Sequence, residues 1–293
     1  MDSPTQYTGG NCQLSKHPTL GTFHLHCKEG EFYISETIEG DFRKLPKPEI
    51  FSSNKDSKWG ANCMYKERRS SEMYLVTAAC DISSGKCTGI RQVYILKMNE
   101  AWTGLDETNP IVVTWSWPTR EGFCLFRHGQ FYYLSASQTA GWRDSDTWVR
   151  KAKTLQGLSE AADTMVPFHR ENYSGMIRSG GSQHRQILKV GYGKWIFLGS
   201  RHPDEEPSEY DSKYGRYIFL PVIFKNGLPN VYWKSQFNLE AYNFTAGDYD
   251  KHWHGGYGHK SQVGCPTYWR TCLKTAGCEW NKTSRKCQEK TIG

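Results

Sequence analysis

Four groups of side chains in this sequence have the types and spacing to do chemistry. One is a histidine cluster, His252-Trp253-His254-Gly255-Gly256-Tyr257-Gly258-His259. Imidazoles can hold a metal, but no acidic or Cys partner stands at ligand spacing beside them. The segment therefore reads as an exposed, turn-rich linker, and neither a metal nor a cofactor is expected. A second group is the ten cysteines. They contain no C-x-x-C pair, which argues against zinc and thioredoxin-like chemistry; an even count at wide spacing fits disulfides formed in an oxidising compartment. The third group is aromatic: 14% of the residues, with 11 Trp and 17 Tyr. Flat apolar rings with polar tips fill cores or stack on sugar rings. The last is Arg120-Glu121, a carboxyl beside a guanidinium at the start of a strand-like run. By itself such a pair reads as a surface ion pair.

Composition narrows the partners. The 37 basic and 30 acidic residues give a net charge of +7, but they are scattered, without a run of five like charges. A nucleic-acid binder concentrates its cations in a stripe, so no nucleic-acid partner is expected. No transmembrane run is present, so no membrane partner is expected either. The segment Met1-Asp2-Ser3-Pro4-Thr5-Gln6 has neither the basic flank nor the apolar stretch of a signal peptide. Sequons at Asn172, Asn243 and Asn281 agree with the cysteines in pointing to a secreted protein whose leader is absent from this chain.

The elements that would position these groups are short strands. Gly21-Thr22-Phe23-His24-Leu25-His26, Glu72-Met73-Tyr74-Leu75-Val76-Thr77, Gly129-Gln130-Phe131-Tyr132-Tyr133-Leu134-Ser135 and Gly193-Lys194-Trp195-Ile196-Phe197-Leu198-Gly199 each read as a strand entered from a tight turn. Their starts lie roughly 50 to 65 residues apart, the period of a four-stranded blade. Partner strands are expected at Phe32-Tyr33-Ile34-Ser35, Val93-Tyr94-Ile95-Leu96 and Thr147-Trp148-Val149-Arg150. The best helical stretch, Lys151 to Ala162, is short and interrupted by Gly157. The fold class is thus all-β, a β-propeller, because blades bury their faces only against neighbouring blades. The expected organisation is a propeller over residues 1–245, a Gly/His-rich linker over 246–264 and a disulfide-rich tail over 265–293 that carries four cysteines.

The stretch from Arg120-Glu121 to Ser135 resembles a signature of glycoside hydrolase family 43, in its exo-β-1,3-galactanase branch. Phe126 follows Glu121 by five residues, and Tyr132-Tyr133-Leu134 follow it by eleven to thirteen. Ser137, Gly141-Trp142, Leu155-Gln156-Gly157, Ser182-Gln183, Gly193 to Arg201 and Gly215 to Trp233 continue the likeness in order, and Ser35 to Phe42 extends it upstream. The resemblance implies a five-bladed propeller whose first blade lies before the start of this chain. It implies that Glu121 is the catalytic acid and that Gln183 stands at the water-activating position. It places the carboxylate that tunes the acid at Asn62, where an amide cannot carry the charge. Arg120, Trp142 and Trp115 are the expected substrate-binding residues.

Three functions fit these residues. The leading one is an inverting hydrolase acting on β-1,3-galactan or arabinogalactan, working as a monomer on a polysaccharide or oligosaccharide. The second is a non-catalytic propeller lectin, which Asn62 favours. The third is an extracellular protein-interaction module that docks through the Cys-rich tail.

Overall fold

A computed structural model describes residues 12–27, 30–52, 57–68, 70–81, 91–115, 120–139, 144–169, 179, 182–191, 193–201, 216–233, 278–281 and 286–289. The chain divides into two compact units, Met1–Ala246 and Gly247–Gly293. In the second unit the described residues form one antiparallel hairpin, Cys278–Asn281 with Lys286–Glu289. The proposed 246–264 linker lies outside the described residues.

The first unit is a propeller in which four blades are described. Blade 1 contains β1 (Gln13–Lys16), β2 (Phe23–Cys27), β3 (Glu31–Ser35) and β4 (Arg43–Lys44). Blade 2 contains β5 (Ser57–Lys66), β6 (Met73–Asp81), β7 (Arg91–Met98) and β8 (Leu105–Trp115). Blade 3 contains β9 (Arg120–His128), β10 (Phe131–Gln138), β11 (Thr147–Ala152) and β12 (Thr164–Met165). Blade 4 contains β14 (Gln183–Gly191), β15 (Lys194–Arg201), β16 (Arg216–Lys225) and β17 (Leu228–Tyr232). The two-residue β13 (Phe168–His169) joins its outer edge in parallel with β17.

The four runs that set the sequence period are β2, β6, β10 and β15, the second strand of every blade. Three of the expected partners are third strands, β3, β7 and β11. The 151–162 segment forms no α-helix, in keeping with its short, Gly-interrupted pattern: β11 continues to Ala152, and only the 3-10 turn Gln156–Ser159 follows. Leu158 of that turn is fully buried in the packing between blades 2 and 3. Tertiary burial, not helical periodicity, sets this segment.

Sequential packing of blades explains why the middle strands are apolar on both faces. Along β6, Met73, Leu75 and Ala79 pack towards blade 1 with Phe32 and Leu45, whereas Val76 and Ala78 pack towards blade 3 with Phe123 and Leu125. Blade 3 repeats the division: Leu125 and Leu134 face blade 2, while Phe126 and Tyr133 meet Trp195, Phe197 and Leu220 of blade 4. A strand whose alternate side chains enter two cores loses the polar alternation of a half-exposed sheet. The hairpin from β16 to β17 closes through Asn226 and Gly227, both at positive φ, between the paired Lys225 and Leu228. That two-residue turn matches the twist of the strands it joins.

Two disulfides occur among the described residues. Cys12–Cys27 staples the start of blade 1, and Cys63–Cys124 joins β5 to β9, the first strands of blades 2 and 3. The expected pairings of the tail cysteines lie outside the described side chains. The second bridge closes a sequence separation of 61 residues, so it removes freedom from the unfolded chain worth about 4 kcal/mol. Replacing Cys63 and Cys124 together with Ala should lower unfolding stability by an amount of this order in urea titrations. A double variant as stable as the parent would show that the bridge contributes nothing to the fold.

Candidate functional site

The first strands of blades 2, 3 and 4 each break register, β5 at mid-strand and β9 and β14 near their N-terminal ends. In β5, Ala61 and Asn62 together oppose Thr77, between the pairs Gly60↔Ala78 and Cys63↔Val76. In β9, Gly122 and Phe123 oppose Ala136, and in β14 the extra residue is Arg185. A bulge bends its strand and re-aims the side chains beside it. At Gly122 the backbone adopts a φ of 63°, and a β-carbon there would lie 2.8 Å from the His184 carbonyl oxygen. Glycine meets both requirements, the positive φ and the close approach.

Glu121 and Gln183, predicted from separate blades, come together here. Gln183 donates from Nε2 to Glu121 Oε1 at 2.5 Å. Glu121 is partly exposed, whereas Gln183 is 7% exposed. Beneath them His184 Nδ1 lies 2.9 Å from the Gly122 carbonyl oxygen. That oxygen only accepts, so the proton sits on Nδ1 of a neutral ring. Burial pushes the imidazole down to about 3. The segment leading into β14 is tied to blade 3 by Ser145, whose N–H donates to the Ser182 carbonyl at 3.2 Å. Ser145 also donates through Oγ to Ser137 Oγ at 3.2 Å, and Ser137 is the strand partner of Glu121.

Asn62 lies in the bulge of β5, and its side chain is outside the described residues. The Cys63–Cys124 bridge nevertheless fixes the neighbouring strand positions, with 5.2 Å between the two α-carbons. Trp142 also lies outside the described residues.

Two of the expected substrate contacts, Trp115 and Arg120, lie buried in this structure. Trp115 is 0% exposed; its ring packs 5.3 Å from Phe123, and its indole N–H donates to Asp163. An indole without exposed surface cannot stack on a sugar. Arg120 is 2% exposed, with its guanidinium 4.4 Å over the Trp148 ring and 3.9 Å from Asp163. It belongs to a buried charged layer completed by Arg150, which donates to Asp163 at 2.7 Å and to the carbonyls of Thr114 and Ser159. This layer supports the start of β9. Asp163 and His184 were not singled out from the sequence. His184 is adjacent to Gln183, but only the packing of β14 against β9 of the neighbouring blade reveals the Gly122 contact, and no local signal marks Asp163.

No protein-family model matches the chain, and no curated protein matches it. Solved structures do. A glycoside hydrolase family 43 β-1,3-galactosidase aligns with a TM-score of 0.61 at 14% identity, over 80% of this chain and 47% of its own. An exo-β-1,3-galactanase from Clostridium thermocellum aligns at 0.58 and 14% identity, over 75% and 48%. An exo-β-1,3-galactanase from Phanerochaete chrysosporium, solved with galactose, aligns at 0.55 and 18% identity, over 75% and 47%. The chain thus shares the fold of these family 43 enzymes while spanning about half of their length.

His184 makes the fold sensitive to acid. Its native pKa lies below the ordinary 6.5, so the unfolded chain binds the extra proton. The associated stability is present above about pH 6.5 and is lost as pH falls towards 3, about 2 kcal/mol of it by pH 5. Urea titrations from pH 7 to pH 5 should show a steeper loss in the parent than in His184→Gln. Equal slopes would place a solvated, ordinary imidazole at this position. Gly122→Ala should lower stability by about 2–4 kcal/mol, since it adds both strain at positive φ and a backbone clash. A Gly122→Ala variant as stable as the parent would count against the close approach.

Proposed function

We propose that this chain is a glycoside-hydrolase-like propeller that handles β-1,3-linked galactan or arabinogalactan, with Glu121 as its proton donor. The observation that carries this is the 2.5 Å hydrogen bond between Gln183 and Glu121. It joins two residues, 62 positions apart in the chain, at the starts of neighbouring inner strands, on a fold shared with β-1,3-galactanases. Glycosidic cleavage requires a proton on the leaving oxygen as positive charge grows on the sugar, and a rigidly held carboxyl supplies it. In an inverting reaction the water-activating group stands on the other face of the sugar, about 6.5–9.5 Å from the acid. Gln183 in direct contact with Glu121 is too close for that position. In this arrangement its amide orients the acid, and activating water would require it to move away. Asn62 supplies no carboxylate.

These last two features favour a second function on the same site, a lectin that holds galactan without cleaving it. A fifth blade of the family's type, residence outside the cell and action as a monomer complete the proposal. The Cys12–Cys27 and Cys63–Cys124 bridges support the extracellular location.

Purified protein incubated with β-1,3-galactan should release galactose, and Glu121→Gln should lower turnover by about 10²–10⁴-fold while leaving binding nearly intact. Binding without galactose release in the parent would establish the lectin. A parent that neither binds nor cleaves galactan would reject both functions.

A further inference from the structure

The second strand of blade 1 differs from its counterparts. Towards the following blade, β6 presents Val76 and Ala78, and β10 presents Tyr133. On β2 the buried face presents His24 and His26. Both are 0% exposed, and His17, just after β1, is buried with them. The three rings form a ladder, with centroids 6.0 Å apart from His17 to His24 and 6.1 Å apart from His24 to His26. Trp102 of the β7–β8 turn closes one side, 4.5 Å from His17 and 5.7 Å from His24. Phe32 stands edge-on to His26 at 4.7 Å. Trp102 and Phe32 belong to the apolar packing between blades 1 and 2, so imidazoles fill part of that seam.

The seam accepts these rings only as neutral groups. His17 Nε2 donates to the Glu100 carbonyl at 2.8 Å, while its Nδ1 accepts from the N–H groups of Thr19 and Leu20 at 3.3 and 3.1 Å. A second proton on Nδ1 would face two donors. His24 Nε2 lies 2.9 Å from Thr22 Oγ1, but its Nδ1 and both nitrogens of His26 lack a hydrogen-bond partner. The charged side chains described on the elements packed around the rings are Lys16 on β1, Glu31 on β3, Lys66 on β5 and Glu100 in the β7–β8 turn. Lys16 and Lys66 are cations, placed over the rings of Phe23 and Trp102. Glu100 is exposed, and Glu31 is engaged by Lys44 and Tyr33. Among the described residues no carboxylate bonds to any of the three rings, so a proton taken up here would be a buried charge without compensation. Burial, and then the adjacent imidazole, holds His24 down at about 4 and His26 down at about 3, with the Trp102 backbone opposing the shift. Folded values below 6.5 mean that this part of the stability is present above about pH 6.5 and is lost as pH falls towards 4 and 3.

We propose that the seam between blades 1 and 2 is an acid-released latch: neutral imidazoles keep blade 1 docked, and protonation of His24 and His26 frees it from blade 2. The latch is independent of the galactan function, and it is separate from His184, which lies between blades 3 and 4. Hydrogen exchange of the full chain at pH 7 and pH 5, corrected for the intrinsic chemical rate, would read the opening blade by blade. Two histidines that titrate normally once exposed should raise the opening equilibrium of β2 and β3 roughly 500-fold over this range, about 25-fold for each ring. Amides of β10 and β16 should respond less. His26→Leu removes both partnerless nitrogens; it should keep blade 1 docked at pH 7 and cut the response of β2 and β3 to about 25-fold. His24→Gln should cut it similarly, which keeps the inference testable if His26→Leu folds poorly. His184→Gln should leave the response of blade 1 intact. A response in β2 and β3 no larger than in β10 and β16 of the parent, or one unaltered in both His24→Gln and His26→Leu, would overturn the inference.

Discussion

The backbone of β14 passes so near to β9 that a side chain on Gly122 would meet the carbonyl of His184. Much of the candidate site follows from that approach. The extra residue at Gly122–Phe123 inverts the face on which the preceding part of β9 points. Phe123 and Leu125 point into the apolar packing between blades 2 and 3. Without the extra residue, Glu121 would share their face and its carboxyl would be driven into that core. With it, the carboxyl turns to Gln183, and the imidazole of His184 locks the bulge from below.

Behind the site, the charges of Arg120 and Arg150 are taken almost entirely out of solvent, and that of Asp163 partly so. Burying such groups is costly unless each finds partners. Here the two guanidinium groups lie over the indoles of Trp148 and Trp115, and Arg150 also reaches main-chain carbonyls left over from β8 and the 156–159 turn. The result is a stiff floor for the start of β9, so the carboxyl one residue on has little freedom to drift.

The strand skeleton was legible in the sequence because its signal is local. Gly-led aromatic runs such as Gly129 to Ser135 and Gly193 to Gly199 mark second strands, and two-faced burial makes those runs almost continuously apolar. The pairing of Glu121 with Gln183 could be reached only through resemblance, since a contact 62 residues apart leaves no trace in spacing. The same limit explains Trp115 and Arg120. A tryptophan at the end of a strand and an arginine at the start of the next suggest surface recognition, but whether they face a cleft or the core is decided by packing between blades. The segment 151–162, short and Gly-interrupted in the sequence, forms no α-helix: Leu158 enters the core between blades 2 and 3 from a 3-10 turn, with Ala152 and Leu155 packed against that core.

The division of side chains along β6 and β10 bears on how such a protein changes over generations. Each middle strand speaks to one neighbour through its odd positions and to another through its even ones. A substitution at Leu75 presses on blade 1 and leaves blade 3 untouched; one at Val76 does the reverse. Compensating changes therefore need to arise on only one adjoining surface at a time. A blade can be copied, replaced or rebuilt by rewriting two interfaces, which gives this architecture a modular route to variety while the residues around its axis are kept in place.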